Sequence, residues 1–409
     1  MTGNEAAPGD PGPHLPGLKG CPEPLSEHYD AALLDLDGVV YLGGMPIPGA
    51  ADALAVAAKR SMKLAYVTNN ASRTPNAIAA QLTGMGVPAT ATDIVTSAQA
   101  AAHILADRLP AGAPVLVVGG TGLRLAIRDR GLRPVTTAAD RPLAVVQGYS
   151  PAISYGLLAE AAIALNAGAL YVASNADATL PTPRGPQPGN GSLVEVLVHA
   201  TGHEPVIAGK PELPLHAESV ERVGAKRPLV VGDRLDTDIE GAVRGGTDSM
   251  LVLTGVSRPA DLLLAGPQQR PTYLAADLSG LNASHPEVTR NGGGSKGGGS
   301  KGGGSKGGGS KGRGFGCGGW TAAPAADRSA ADGTAADGTA ADGTAARAAA
   351  ADGAGPGRGA WLTVSGSGAW LDGLRALCAA AWSAGPPPGD EKEQRRTAEA
   401  VLAAIEPVR

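Results

Sequence analysis

The sequence predicts an α/β protein: a doubly wound parallel sheet with a second α/β unit inserted into it, followed by a separate C-terminal piece. Three observations carry this reading. Short apolar runs, each closed by polar residues or glycine, recur between Leu25 and Val288, as in buried parallel strands. Ala- and Leu-rich stretches of helical length separate them, and strand–helix alternation is the mark of a doubly wound, Rossmann-like core. The same rhythm continues through a stretch far too long for a loop, which asks for a domain within the domain.

The elements follow in order. Residues 1–24 are rich in Pro and Gly without an apolar run, so neither a signal peptide nor an ordered element is expected there. Ala31–Leu34 is the first strand, and Pro48–Ser61 a helix with proline near its start. Leu64–Val67 and Thr74–Leu82 repeat the pair. Strands near Val115–Val118, Leu143–Gln147 and Ala169–Ala173 put the inserted unit at 94–204, leaving the core as 25–93 and 205–288. Within the second core segment, Leu213–Val223 reads as a helix and Leu229–Val231 as a strand.

The character changes after Asn291. Gly-Gly-Gly-Ser-Lys occurs four times from Gly292 to Lys311, and Ala-Ala-Asp-Gly-Thr three times from Ala330 to Thr344. Neither repeat has the large apolar side chains that offset ordering entropy, so 289–359 is expected to be a flexible tether. A small α/β or helical piece is expected at 360–409. It comprises a strand over Trp361–Val364 and helices over Ala369–Ser383 and Asp390–Ile405, parted by Pro386-Pro387-Pro388.

Composition narrows the function. Apolar residues make up 43% of the chain, and the formal charge of −4 gives no electrostatic reason to expect nucleic acid or an anionic membrane as partner. No run approaches the ~18 apolar residues of a membrane helix. Cys21, Cys317 and Cys378 offer neither a disulfide framework nor a zinc knuckle. A cytoplasmic protein is expected.

Chemistry gathers where predicted strands end. Asp35-Leu36-Asp37-Gly38 follows the first strand, and two carboxylates at i and i+2 converge where a strand enters a tight loop. A calcium loop is excluded because no earlier Asp has the right spacing and no Glu closes the loop, while an ordinary turn stays open. Thr68-Asn69-Asn70 reads either as an Asx-rich turn before the next helix or as a phosphate cradle of hydroxyl and backbone N–H groups. Gly209-Lys210-Pro211 contains a lysine that, taken alone, is a solvated loop charge. Val231-Gly232-Asp233-Arg234-Leu235-Asp236-Thr237-Asp238 runs an apolar strand into three acids, whose mutual repulsion calls for a cation.

In this order the four motifs resemble the haloacid-dehalogenase superfamily of phosphatases over about Ser26–Val288. The closest branch is the one with a large α/β cap, which includes nitrophenylphosphatases and the phosphatases of pyridoxal phosphate, phosphoglycolate and glycerol 3-phosphate. About 140 residues separate Thr68 from Lys210, which places the insertion between the second and third motifs as that branch does. The resemblance implies Asp35 as nucleophile, forming an aspartyl-phosphate, and Asp37 as general acid and then base. It implies Lys210 as the catalytic cation and Thr68, Asn69 and Asn70 as phosphate ligands. Mg²⁺ would be held by Asp35, the carbonyl of Asp37 and Asp233, with Asp238 supporting it and orienting Lys210. Ser174-Asn175-Ala176-Asp177 and Pro188–Leu193 resemble the cap loop and the return to the core. Asn175 and Asp177 are therefore expected at the substrate, and the loop Asn175–Arg184 is expected to choose the leaving group. Asp236 is expected to be a solvated neighbour.

The function so implied is Mg²⁺-dependent hydrolysis of a small phosphorylated metabolite. Glycerol 3-phosphate ranks first, because a capped phosphatase with a C-terminal appendage resembles actinobacterial glycerol phosphate phosphatases; phosphoglycolate and pyridoxal 5′-phosphate are the alternatives. A vestigial phosphatase serving as a tethered scaffold is the reading of another class, and the intact acids, Thr68 and Lys210 argue against it. Phosphomutase action is not excluded by the sequence. A homo-oligomer joined through the cap stays open, and no partner for the tail is indicated. Since every motif precedes Thr289, a chain ending there is expected to keep phosphate release.

Several signals are set aside. His199 and His203 lack a third zinc ligand, and Gly202 interrupts the helix that would pair them. Gly119-Gly120-Thr121-Gly122 has Leu125 where a dinucleotide loop needs its third glycine, so a tight turn is expected. Trp361, Trp370 and Trp382 read as a small core, and the C-terminal piece is too short for the acetyltransferase-like module of some relatives.

Overall fold

The computed structural model describes residues 17–180, 182, 184–291, 314–324 and 361–405. The core sheet has six parallel strands in the order Tyr273–Ala275, Asp248–Val252, Pro228–Gly232, Ala31–Leu34, Lys63–Thr68, Ile94–Thr96. Every residue of the central strand Ala31–Leu34 is buried, as helices on both faces of the sheet require. Ala32 and Leu34 pack with Leu229, Val231 and the helix Ala50–Lys59 on one face. Leu33 and Val230 face the helices Ser97–Ala106 and Leu213–Val223 on the other. Leu34 is in register with both Tyr66 and Val231, so the chain leaves all three central strands along one edge. That edge is the ligand crevice of open α/β sheets.

The cap is a second all-parallel sheet: Val206–Ile207, Leu170–Ala173, Ala144–Gln147, Pro114–Val118, Arg133–Val135. Helices Tyr155–Asn166 and Asn190–Thr201 cover one face. The other face is continuous with the core, since Val115, Val117, Val146 and Val172 share an apolar cluster with Leu33, Val67 and Val230. Two boundaries differ from the expected 94–204. Ile94–Thr96 is the edge strand of the core sheet, and Val206–Ile207 is the edge strand of the cap sheet. Both are too short to form a recognisable apolar run, and only their pairing assigns them.

The amino-terminal expectation also changes. The backbone N–H of Lys19 donates to Thr272, and Cys21 exchanges both backbone hydrogen bonds with His285 at 2.8 and 2.7 Å. Residues 17–24 are thus tied to the core, while 1–16 lie outside the described residues.

The tail holds the largest difference. Thr289–Asn291, Gly314–Cys317, Trp320–Pro324 and Leu362–Gly366 form a four-stranded antiparallel sheet in chain order. Three of these strands fall inside the expected tether. Phe315 and Trp320 are the large apolar residues of that region, and the sheet buries both. The repeats themselves, at 292–313 and 325–360, lie outside the described residues. Helix Trp370–Ala384 is buried through most of its circumference, which a helix tolerates only between two partners. One partner is the small sheet; the other is the core, through Leu262, Leu263 and Leu274. Arg375 Nη2 donates to the carbonyl of Leu274 at 2.6 Å and Trp382 Nε1 to that of Leu262 at 2.9 Å. Helix Glu391–Leu402 closes the unit and places Arg395 against Asp261. Among the described residues no helix is long and apolar enough to cross a membrane.

Candidate active site

Lys210 is the hub of the crevice. Its Nζ lies 2.5 Å from Asp35 Oδ1 and 2.6 Å from Asp238 Oδ1, and its side chain keeps only 11% of its exposure. Burial disfavours charge on Lys210, but the carboxylates of Asp238 and Asp35 outweigh it and raise the pKa, so the ammonium persists. Its backbone is fixed at two points by Asn69, whose Oδ1 accepts from Lys210 N at 2.8 Å and whose Nδ2 donates to Lys210 O at 3.1 Å.

Burial pushes Asp35 up to about 7 against the pull of Lys210, with Asp238 adding to the push. Asp233 is pushed to about 8 by burial and then by Asp238 and Asp35. Raised carboxyls packed this closely are the electrostatic signature of a site for a cation. One carboxylate oxygen from each of Asp35, Asp233 and Asp238 lies within 4.8 Å of the other two. Asp233 Oδ2 accepts from Val256 N at 2.6 Å, whereas Oδ1 is buried without a partner. Both oxygens of Asp238 are engaged, one by Lys210 and the other by Arg234 N at 3.2 Å. An unsatisfied buried carboxylate among hard oxygen donors fits Mg²⁺. Glycine keeps the space clear. A Cβ on Gly255 would stand 1.9 Å from Asp233 Oδ2 and one on Gly38 2.5 Å, and Gly38 also has φ +87°.

Asp37 stands exposed at the mouth of the crevice, where the nearby backbone N–H groups of Gly43 and Gly38 favour its ionised form. Desolvation nevertheless raises its pKa. Gly43 belongs to the hairpin turn between Tyr41–Leu42 and Met45–Pro46.

The second motif divides its labour. Thr68 Oγ1 accepts from Asn70 N at 3.1 Å, and Asn70 Oδ1 accepts from Ser72 N at 2.9 Å, which is an Asx turn. The side chain of Asn69, a residue expected among the phosphate ligands, hydrogen-bonds the Lys210 backbone and Asp177 Oδ2, 3.2 Å from its Nδ2 across on the cap. Asn175 Nδ2 donates to Asn69 O at 2.7 Å, a second link between cap and core. Where the cap strand Pro114–Val118 ends, Gly122 N donates to Ser72 O at 3.0 Å, and a Cβ there would lie 2.3 Å from Arg73 O. The Gly119–Gly122 turn thus provides close approach between cap and core.

Asp35, Asp37, Thr68, Asn69, Asn70, Asn175, Asp177 and Lys210 all line one cleft of about 410 Å³ between core and cap. Tyr149, Arg234 and Val256 line it too, and the sequence did not single them out. Arg234 lies inside the fourth motif and was legible there; Tyr149 and Val256 carry no local signal and arrive only through folding. Asp236, expected to be a solvated neighbour, is exposed and forms a bidentate pair with Arg234 at 3.0 and 2.7 Å. His199 and His203 are exposed and belong to no group of metal-ligating side chains among the described residues.

Residues 32–133 match the haloacid dehalogenase-like hydrolase family and residues 207–281 the HAD-hydrolase-like family. A D-glycerol 3-phosphate phosphatase of Mycobacterium tuberculosis is 51% identical over 258 residues, 63% of this chain and 72% of the relative. The chain belongs to the haloacid dehalogenase-like hydrolases. A 5′-nucleotidase of Bacillus subtilis is 35% identical over 61% of this chain and 96% of its own length. Among solved structures, a glycerol phosphate phosphatase of Mycobacterium tuberculosis in complex with magnesium aligns at TM-score 0.62. It shares 47% identity and covers 68% of this chain and 84% of its own. A 4-nitrophenylphosphatase of Thermotoga maritima aligns at TM-score 0.59, with 28% identity over 63% of this chain and 98% of its own. In this haloacid dehalogenase-like hydrolase the two matched segments hold all four motifs, Asp35 to Asn70 in the first and Lys210 to Asp238 in the second.

Proposed function

We propose that the protein is a Mg²⁺-dependent phosphatase of small phosphate monoesters, with glycerol 3-phosphate as its substrate, acting in the cytoplasm. The observation that carries the reading is the Asp35–Lys210–Asp238 chain beside the unpartnered Asp233 Oδ1. The magnesium complex of the glycerol phosphate phosphatase supports the metal, and the 51% identical relative supports the substrate. Three free, buried cysteines suit a reducing compartment.

Asp35, Asp233 and the carbonyl of Asp37 would hold Mg²⁺, which would supply positive charge opposite the phosphate and favour the ionised form of Asp35. Lys210 adds a second positive charge at the same end. An oxygen of the Asp35 carboxylate attacks phosphorus, the bond from phosphorus to the leaving oxygen breaks, and Asp37 gives that oxygen its proton. Desolvation raises the Asp37 pKa, which supports a proton being available. Water then attacks the phosphorus of the aspartyl-phosphate and yields its proton to Asp37, releasing orthophosphate and restoring Asp35. Asp238 holds Lys210 in position throughout. Thr68 and Asn70 lie on the phosphate side of the cleft, and Asn69 holds the Lys210 loop to the cap.

Asp35→Asn tests this. It removes the nucleophile and one metal charge with almost no change in volume. Phosphate release from glycerol 3-phosphate should fall by at least about a thousandfold with the melting temperature preserved. Rates like wild type would exclude a covalent route through Asp35.

A further inference from the structure

We propose that the cap end of the cleft selects an uncharged, hydroxyl-bearing leaving group and turns away leaving groups that carry a second anionic charge. The proposal rests on the phosphatase reading and adds to it the residues that would discriminate against an anionic leaving group.

Charge is distributed unevenly along the cleft. Lys210 serves the phosphate end, clasped by Asp35 and Asp238. The cap contributes Tyr149, Asn175, Asp177, Thr179 and Asn190, and no lysine or arginine among the described residues that line the cleft. The remaining cation is Arg234, from the core. Both Asp236 oxygens already hold its guanidinium, Oδ1 on Nε at 3.0 Å and Oδ2 on Nη2 at 2.7 Å. With that pair neutralised, Asp177 leaves this end negative. A carboxylate or second phosphate entering here meets a like charge in a half-enclosed space and finds no unpaired cation.

Hydrogen-bonding capacity points the same way. Asn190 Nδ2 donates to Asn175 O at 2.7 Å, which fixes the amide, and its Oδ1 is buried without a partner. The Asp177 carboxylate accepts from Asn69 Nδ2 and offers only acceptors to anything else. Unmet acceptors need donors. Alcohol hydroxyls supply them; a carboxylate supplies none. Sites built around a substrate hydroxyl discriminate strongly, because the wrong ligand leaves buried polar atoms unpaired.

The test compares kcat/KM of the full chain with Mg²⁺ on glycerol 3-phosphate and on 2-phosphoglycolate, whose leaving group bears a carboxylate. 4-Nitrophenyl phosphate serves as a reference for the phosphate end. Wild type should prefer glycerol 3-phosphate by at least about tenfold, the effect of one charge in a partly solvated cleft. Asp177→Asn should narrow that preference about tenfold by improving phosphoglycolate. Asp236→Asn, which releases Arg234, should narrow it through a lower KM for phosphoglycolate, and it carries the test if Asp177→Asn misfolds. Equal or better use of phosphoglycolate by wild type, or a ratio unmoved in both variants, overturns the proposal. Should wild type hydrolyse 4-nitrophenyl phosphate but not glycerol 3-phosphate, the polyol assignment falls and the phosphatase reading stands. No phosphate release from any of the three would overturn both.

Discussion

Leu377 lies at the centre of the contact between tail and core, fully buried on the helix Trp370–Ala384, in one cluster with Leu262, Leu263 and Leu274 of the phosphatase core. Leu377→Ala removes three carbons. At about 0.8 kcal/mol each, transfer accounts for about 2.4 kcal/mol. The cavity left between helix, sheet and core adds about 1 kcal/mol or more, for a total of about 3–4 kcal/mol. For domains of this size each kcal/mol moves the melting temperature by about 2–4 °C, so a fall of about 10 °C is expected. Scanning calorimetry reads this directly. The shared cluster requires wild type to melt in one transition and the variant to melt in one transition at lower temperature. A variant whose tail melts early while the core melts where wild type does would show that the contact transmits no stability. The same reasoning corrects the expectation, drawn from sequence, that a chain ending at Thr289 keeps its activity. Truncation there uncovers Leu262, Leu263 and Leu274, and we expect a less stable, aggregation-prone protein with reduced phosphate release.

Other expectations concern the metal and the joint between cap and core. With folded-state pKa values near 7 and 8, Asp35 and Asp233 hold protons that the unfolded chain has released, so they withdraw stability as pH rises from about 4 to 8. Mg²⁺ binds the ionised forms, so its stabilising effect should grow from pH 5.5 to 8. Taking the difference in melting temperature with Mg²⁺ and with chelator cancels the opposing contribution of half-buried His216 and buried His285, whose pKa values desolvation lowers, and a gain independent of pH would contradict the assignment. Gly255→Ala places a Cβ against Asp233 and should weaken Mg²⁺ binding more than tenfold by calorimetric titration, with the fold retained. Glu218, 6% exposed, takes ion pairs from Arg130 and Arg222 and shares a hydrogen bond with His103. Glu218→Ala strands both arginines and should cost about 3 kcal/mol in denaturant unfolding; a loss below about 0.5 kcal/mol would mean water already screens them.

The core was legible because its strands announce themselves twice, by apolar runs and by the chemistry at their ends. Ala31–Leu34 and the helix Leu213–Val223 appear at the residues expected; Asp35, Asp37, Thr68 and Lys210 line one cleft, and Asp233 lies beside Asp35. What escaped was pairing of short segments. Ile94–Thr96 and Val206–Ile207 acquire their sheets from neighbours distant in sequence. Gly314–Cys317 and Trp320–Pro324 are framed by repeats and carry few apolar residues, so local composition hid them. Asn69 shows the same limit at the scale of one side chain. The sequence names it as a candidate phosphate ligand, and only folding reveals its side-chain bonds to the Lys210 backbone and Asp177.

The tail sheet places its long connections in a particular position. Asn291 is paired with Gly314, and Pro324 with Leu362, so the two repeat-bearing stretches each leave and rejoin the sheet at directly opposed residues. A connection whose ends are neighbours need not reach anywhere. The paired ends hold the register of the sheet, so a change in the number of copies of either pentapeptide is expected to leave these pairings in place. These are slippage-tolerant positions, where replication errors in a repetitive gene would escape selection for stability. The same two positions should accept an inserted reporter domain without disturbing the catalytic cleft.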